Sequence, residues 1–394
     1  MNFEIIFSLG LKSGVIWALM IIGVYITYRI LDIADLGVEG TFPLGAAIVA
    51  LLIGLGVPAI IATFVAMLGG VLFGIITGLL HTKLKIPAIL SGIITLTGLY
   101  TINMMVMGKF TTTLSMLPIN NPTIFTDVIN WLYDNKNNVF VIIVSIILVV
   151  LVIGMILVGI RFIKRLIKFG FKHNLKKNII DIVFLSIMGL IALVSLIIIV
   201  ISLSGLYDFG IINNYLCDNK KLGISTLGTI IVSSIILLIV FMGCYWFFGT
   251  EIGMSLRATG NNPKMAKAQG INTNAMIILG LAISNGLVAL CGAVFAQDYG
   301  SANVQQGQGV IVIGLAAIVI GESIFGKQDF KKSLISVIVG SILYMLLEAA
   351  ATKFEVENYL KLVRAILIVI VLVIPFIKNK LKKKRPLTRE VLNA

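Results

Sequence analysis

The chain has 394 residues, 59% of them hydrophobic and 12% charged, and a formal net charge of +14. That balance excludes a soluble globular domain. The basic excess is the Lys and Arg bias of cytoplasmic loops in membrane proteins, which leaves no call for a nucleic-acid partner.

Apolar runs of about twenty residues suit bilayer-spanning helices, and about eleven of them can be drawn. They lack the alternating pattern of a membrane barrel, so the chain reads as an all-α polytopic membrane protein. The first segment is 13–28, and no cleavage site for a signal peptide precedes it. The second, 36–55, is interrupted by Gly37, Gly40, Pro43 and Gly45, and reads as a broken helix with Glu39 at the break. The third and fourth are 57–80 and 87–107. Beyond the polar stretch 108–138 come the fifth and sixth, 139–160 and 179–203, joined by a basic loop. The seventh to eleventh are 226–248, 275–296, 309–325, 334–351 and 363–377.

Charge sets the orientation. The loop 161–177 holds Arg161, Lys164, Arg165, Lys168, Lys172, Lys176 and Lys177 without an acid, and the tail is also basic. Both belong in the cytoplasm. Counting back from the tail puts 249–274 and 81–85 inside, and 108–138, 204–223 and 298–308 outside. The N-terminus is then outside and the C-terminus inside; a re-entrant 36–55 would flip the N-terminus alone. The basic loop is either plain topology or a site for anionic lipid headgroups.

An internal echo links Gly40-Thr-Phe-Pro-Leu-Gly45-Ala-Ala-Ile-Val to Gly309-Val-Ile-Val-Ile-Gly314-Leu-Ala-Ala-Ile-Val. Paired Gly-interrupted segments in two halves mark a transporter built from repeats, with its path between them. Polar residues at membrane depth or at helix breaks are the pathway candidates: Asp35, Glu39, Asn103, Asn285, Gln297 and Glu322. Asp32 and Asp35 have Arg29 as an alternative partner, and Glu322 has Lys327. No catalytic set, metal-ligand cluster or Walker loop G-x-x-x-x-G-K-[ST] is present. Driven transport would draw on an ion gradient or on a separate ATPase.

The polar island 249–274, GTEIGMSLRATGNNPKMAKAQGINTN, must lie in water. Asn262 as N-cap and Pro263 at the first helical position start a short helix over 264–269, which Gly270 ends. It reads as a docking helix for a soluble partner, or more plainly as a solvated loop.

The runs LDIADLGVEGTFPLGAAI, LHTKLKIPAILSGIITLTGLY, SLRATGNNPKMAKAQGIN, GQGVIVIGLAAIVIGESIFGK and LVRAILIVIVLVI together resemble ATP-binding cassette importer permeases of the branched-chain amino acid and ribose type. Within that group the chain is most similar to permeases paired with aromatic amino-acid binding lipoproteins. The resemblance covers about 13–107 and 224–378, with the run from Arg257 to Asn272 as its most specific part. It implies a type II importer-like fold with two repeat-related halves. Arg257, Asn261, Asn262, Pro263, Ala266, Gln269, Gly270 and Ile271 would then form a coupling element on the ATPase, the small Ala266 allowing close approach. It further implies two ATPase subunits carrying ATP-Mg, an extracellular substrate-binding lipoprotein, a second permease copy and a bacterial plasma membrane. This chain would bind no cofactor and catalyse nothing. The implied organisation is a first half, 1–107; external segments with an inserted hairpin, 108–223; a second half, 224–378; and a cytoplasmic tail, 379–394. An ion-coupled carrier or a structural, lipid-handling subunit are the alternatives.

Overall fold

Two helices that bury most of their surface form the centre of the bundle. The computed structural model describes residues 3–108, 116–134, 220–325 and 330–352. In chain order the first part comprises α1 (Phe3–Tyr25), a π turn (Ile26–Ile30), α2 (Val38–Gly54), α3 (Ala59–Thr82), α4 (Ala88–Met107), β1 (Met116–Pro118) and α5 (Thr126–Asp134). The second comprises α6 (Lys220–Gly249), α7 (Glu251–Asn261), α8 (Pro263–Ala268), α9 (Thr273–Tyr299), β2 (Ser301–Asn303), a 3-10 turn (Val304–Gly307), α10 (Val310–Phe325) and α11 (Phe330–Thr352). Among the described residues seven helices are long and apolar enough to cross a membrane, and α2 is a shorter apolar helix. The expected segments 139–160, 179–203 and 363–377, the basic loop and the tail lie outside the described residues. The bundle belongs to one compact unit, residues 1–128 and 226–394, and residues 129–225 form another.

The central pair is α1 and α9, whose apolar spans are each 78% buried, against 28% for α3 and α6. Small residues explain this. Lipid offers no hydrophobic drive between helices, so close backbone packing must hold them. A Cβ on Gly292 would strike the Phe42 carbonyl, and one on Gly45 the Ala289 carbonyl. Thus α2 and α9 meet backbone to backbone. Helix α3 lies on α9 in the same way: Gly70 faces Asn285, Gly74 faces Leu281 and Gly78 faces Ile278. Its other face leaves Ile60, Ile61, Phe64, Leu68 and Leu72 exposed, as a lipid-facing surface requires.

The ends of the bundle are identifiable by contact. Lys12 pairs with Asp298 at 2.8 Å. Thr229 also donates to Asp298, at 3.1 Å. The starts of α1 and α6 therefore share an end with the finish of α9. There β1 pairs antiparallel with β2, with Leu117 opposite Ala302. The all-helical expectation contained no strand, because three residues carry no readable periodicity. Asn121 donates to the Ile53 carbonyl at 2.7 Å, so α2 finishes at this end too. Helix α2 therefore returns to the end where α1 began, and is not re-entrant. The π turn, the finish of α3 and the α7–α8 hairpin lie at the opposite end.

One expectation about α2 is corrected. The helix runs unbroken through Pro43, and the irregular backbone lies upstream, at 31–37, where Asp32 adopts a φ of 57°. Glu39 therefore sits in the first turn of α2 rather than at a break. Pro43 is the sixth residue of the helix, past the first turn. It deprives the Glu39 carbonyl of its usual donor.

Candidate functional site

Two groups of polar residues lie along the 31–45 stretch, and a third, the α7–α8 hairpin, abuts its start. The first is a buried lock. Asp35 is 2% exposed. Its Oδ1 accepts from the Gly37 amide at 2.8 Å, and its Oδ2 accepts from Asn285 Nδ2 at 2.7 Å. Asn285 Oδ1 in turn accepts from Thr41 Oγ1 at 2.9 Å, and its Nδ2 also donates to the Leu281 carbonyl at 3.0 Å. Asp35 thereby ties the N-cap of α2 to the middle of α9. The sequence alternative, pairing with Arg29, is not what forms. Arg29 Nε lies 2.8 Å from Glu322 Oε1, with both side chains more than a third exposed.

The second group lines a cavity of about 370 Å³ beside α2 and α4. Glu39, Tyr100, Thr101, Asn103, Gly307 and Gln308 are among its walls. Glu39 Oε1 accepts from the Gly309 amide at 3.1 Å, so its carboxylate sits at the N-terminus of α10. This bond joins the two echoing segments, since Gly309 opens the second and Gly40 the first. Gly307 is pressed against the Glu39 carbonyl and the Pro43 ring, where no Cβ fits. Asn103 donates Nδ2 to the Gly40 carbonyl at 3.0 Å. Tyr100 is 50% exposed.

The third group is the hairpin at the far end. Thr250 caps α7, accepting from the Gly253 amide at 3.3 Å. Asn262 caps α8, accepting from the Met265 amide at 3.1 Å, with Pro263 at the first position. Gly270 adopts a φ of +85° and terminates the turn. The sequence reading located α8 but took α7 as loop, although Thr250 followed by Glu251 is a helix-start pattern. Ala266 is 2% exposed. Its small side chain faces its own chain, where the Ile271 amide bonds to its carbonyl at 3.1 Å, and is not displayed for a partner. The displayed face carries Asn261, Lys264, Met265, Lys267 and Gln269. Arg257 lies 5.5 Å above the Phe330 ring. Gly260 abuts the Ile30 carbonyl and Leu31, while Leu31 also packs on Gly280. The hairpin thus bears directly on the 31–37 stretch.

Of the pathway candidates, Glu39 and Asn103 share the cavity, and Asp35 and Asn285 share the lock. Gln297 stands apart at the other end, accepting from the Ile124 amide at 3.1 Å and donating to Thr63 at 2.8 Å. Glu322 is engaged with Arg29, not in the cavity, and Lys327 lies outside the described residues. Thr41, Tyr100 and Gln308 were missed. Thr41 stands inside the echo and Gln308 in the polar approach to it, so both lay beside a visible signal. Among the described residues no three His, Cys, Asp or Glu side chains gather as a metal site.

Residues 6–372 match the family described as branched-chain amino acid transport system / permease component. The chain is 30% identical over 374 residues to the tyrosine transport system permease protein of Clostridioides difficile, which covers 95% of this chain and 92% of that one. It is 24% identical to an uncharacterized protein of Rickettsia prowazekii, over 86% of this chain and 85% of the other. A 101-residue stretch, 25% of this chain and 28% of the relative, is 34% identical to the autoinducer 2 import system permease protein LsrC of Escherichia coli. No solved structure matches. A bundle of apolar helices, matched nearly end to end by a transport permease, belongs to the branched-chain amino acid transport system / permease component family.

Proposed function

We propose that this chain is the permease subunit of an ATP-binding cassette importer that moves a small solute, an aromatic amino acid, into a bacterial cell across the plasma membrane. Two ATPase subunits carrying ATP-Mg dock on the α7–α8 hairpin through Asn261, Asn262, Pro263, Gln269 and their exposed neighbours. An extracellular substrate-binding lipoprotein delivers the solute, and a second copy of the permease completes the path. The halves 1–107 and 224–378 enclose that path, and the C-terminal tail is cytoplasmic. The permease itself makes and breaks no covalent bond.

The observation that carries this reading is the hairpin's placement. An exposed, doubly capped polar helix pair rests through Gly260 on the Ile30 carbonyl. Five residues further on, Asp35 holds α2 to α9. Force applied at α8 therefore has a short packed route to the helix that carries Glu39. The aromatic solute rests on the tyrosine permease relative.

The test is purification of the full chain from its native membrane in mild detergent, followed by reconstitution with its co-purifying proteins. An ATPase with a Walker loop should co-elute, and tyrosine uptake should require ATP. Uptake by this chain alone, driven by a proton or sodium gradient, overturns the reading.

A further inference from the structure

We propose that the cavity between α2 and α4 is a recognition site for a protonated amine, so that the solute passing it must carry an ammonium group. The inference rests on the transport reading above and specifies the chemistry at one point of the path.

Asn103 supplies the first argument. It is fully buried in the cavity wall. Its Nδ2 donates to the Gly40 carbonyl at 3.0 Å. A carbonyl only accepts, so the orientation of the amide is fixed. That leaves Asn103 Oδ1 as a buried acceptor with no hydrogen-bond partner among the described residues. An acceptor left in this state is costly, and an incoming donor would complete it.

Glu39 supplies the second. Its carboxylate accepts from the Gly309 amide, and among the described residues no Lys, Arg or His pairs with it. The cavity walls likewise include no cationic side chain among them. A ligand offering N–H donors and a positive charge satisfies both residues at once. A carboxylate brought to the same place would face a carboxylate and an unpaired amide oxygen, which excludes it. Leu96, Pro43 and the half-exposed Tyr100 ring give the remaining wall its apolar character. A volume of about 370 Å³ suits one small molecule.

Three probes sharing a phenol ring test the proposal on the full chain in lipid nanodiscs: tyramine, 4-ethylphenol and 3-(4-hydroxyphenyl)propionate. Binding is read by saturation-transfer NMR and competition. Tyramine should bind at least tenfold more tightly than either of the others. Glu39→Gln should bring tyramine down to the level of 4-ethylphenol while leaving 4-ethylphenol unchanged, because the neutral amide can still accept from Gly309. Asn103→Leu should weaken tyramine tenfold or more, and Glu39→Gln decides the question if that variant does not fold. No tyramine binding to the folded wild-type chain, equal binding of the propionate, or an unaltered tyramine preference in Glu39→Gln each overturns the site. ATPase co-elution, measured on the same preparations, reports separately on the importer reading.

Discussion

Replacing Asn285 with leucine tests the buried lock most directly. The two side chains have the same number of heavy atoms and branch at the same carbon, and Asn285 is completely buried, so the shape is largely kept and the main loss is polar. Leucine removes the 2.7 Å bond to Asp35 Oδ2, the 2.9 Å bond from Thr41 and the 3.0 Å bond to the Leu281 carbonyl. Asp35 keeps the Gly37 amide but stays buried. A hydrogen bond to a charged group contributes about 1.5–3 kcal/mol and a neutral one about 1. Interhelical bonds in membrane proteins average nearer ~0.6 kcal/mol, because the unfolded chain in lipid finds other partners. Asp35 lies at the high end, since removing one partner strands a desolvated carboxylate. The expected destabilisation is about 2–4 kcal/mol. Reversible unfolding in mixed micelles measures it, and a double-mutant cycle with Asp35→Asn isolates the pair. The cycle should show coupling above about 1 kcal/mol. A loss below about 0.5 kcal/mol, or strict additivity of the two substitutions, would refute the lock.

Gly292→Leu should abolish folded protein in membranes, or cost more than about 3 kcal/mol, because its side chain meets the Phe42 backbone. Gly98→Leu is the matched control: no atom lies within 4 Å of a Cβ there, and expression should be unchanged. Arg29→Gln should cost under about 1 kcal/mol in the same unfolding assay, since its ion pair with Glu322 is 42% and 36% exposed. Met265→Glu, on the 59% exposed side chain of α8, should remove ATPase from the purified complex while leaving the permease's thermal unfolding unchanged. An intact complex would mean that this face of α8 is not where the ATPase sits.

Much of the fold was legible because a membrane helix is specified locally. Its length and apolarity are properties of one segment, and the expected segments 57–80, 87–107, 275–296 and 309–325 end within three residues of the bounds of α3, α4, α9 and α10. The caps of α8 are local too: Asn262, Pro263 and Gly270 each act within a few residues of themselves. Helix α7 carries few apolar side chains, so no hydrophobic periodicity separates it from the polar loop around it. Pro43 misled in the other direction. Gly and Pro are poor helix residues in isolation, but here they permit backbone contact with α9 and the turn at Gly307.

The sequence by itself determined that this chain spans a membrane many times, and which polar residues had to be accounted for. An ionisable side chain at that depth is costly, so each such residue requires a partner or a cavity. Which of the two each residue has was decided only by tertiary structure. Asp35 and Asn285 are 250 positions apart and Glu39 and Gly309 are 270 apart, yet both pairs are hydrogen-bonded. Glu322 had Lys327 nearby in sequence and pairs instead with Arg29. The physical reason is that hydrogen bonds between helices depend on how small residues let the backbones approach, and no single segment encodes that distance.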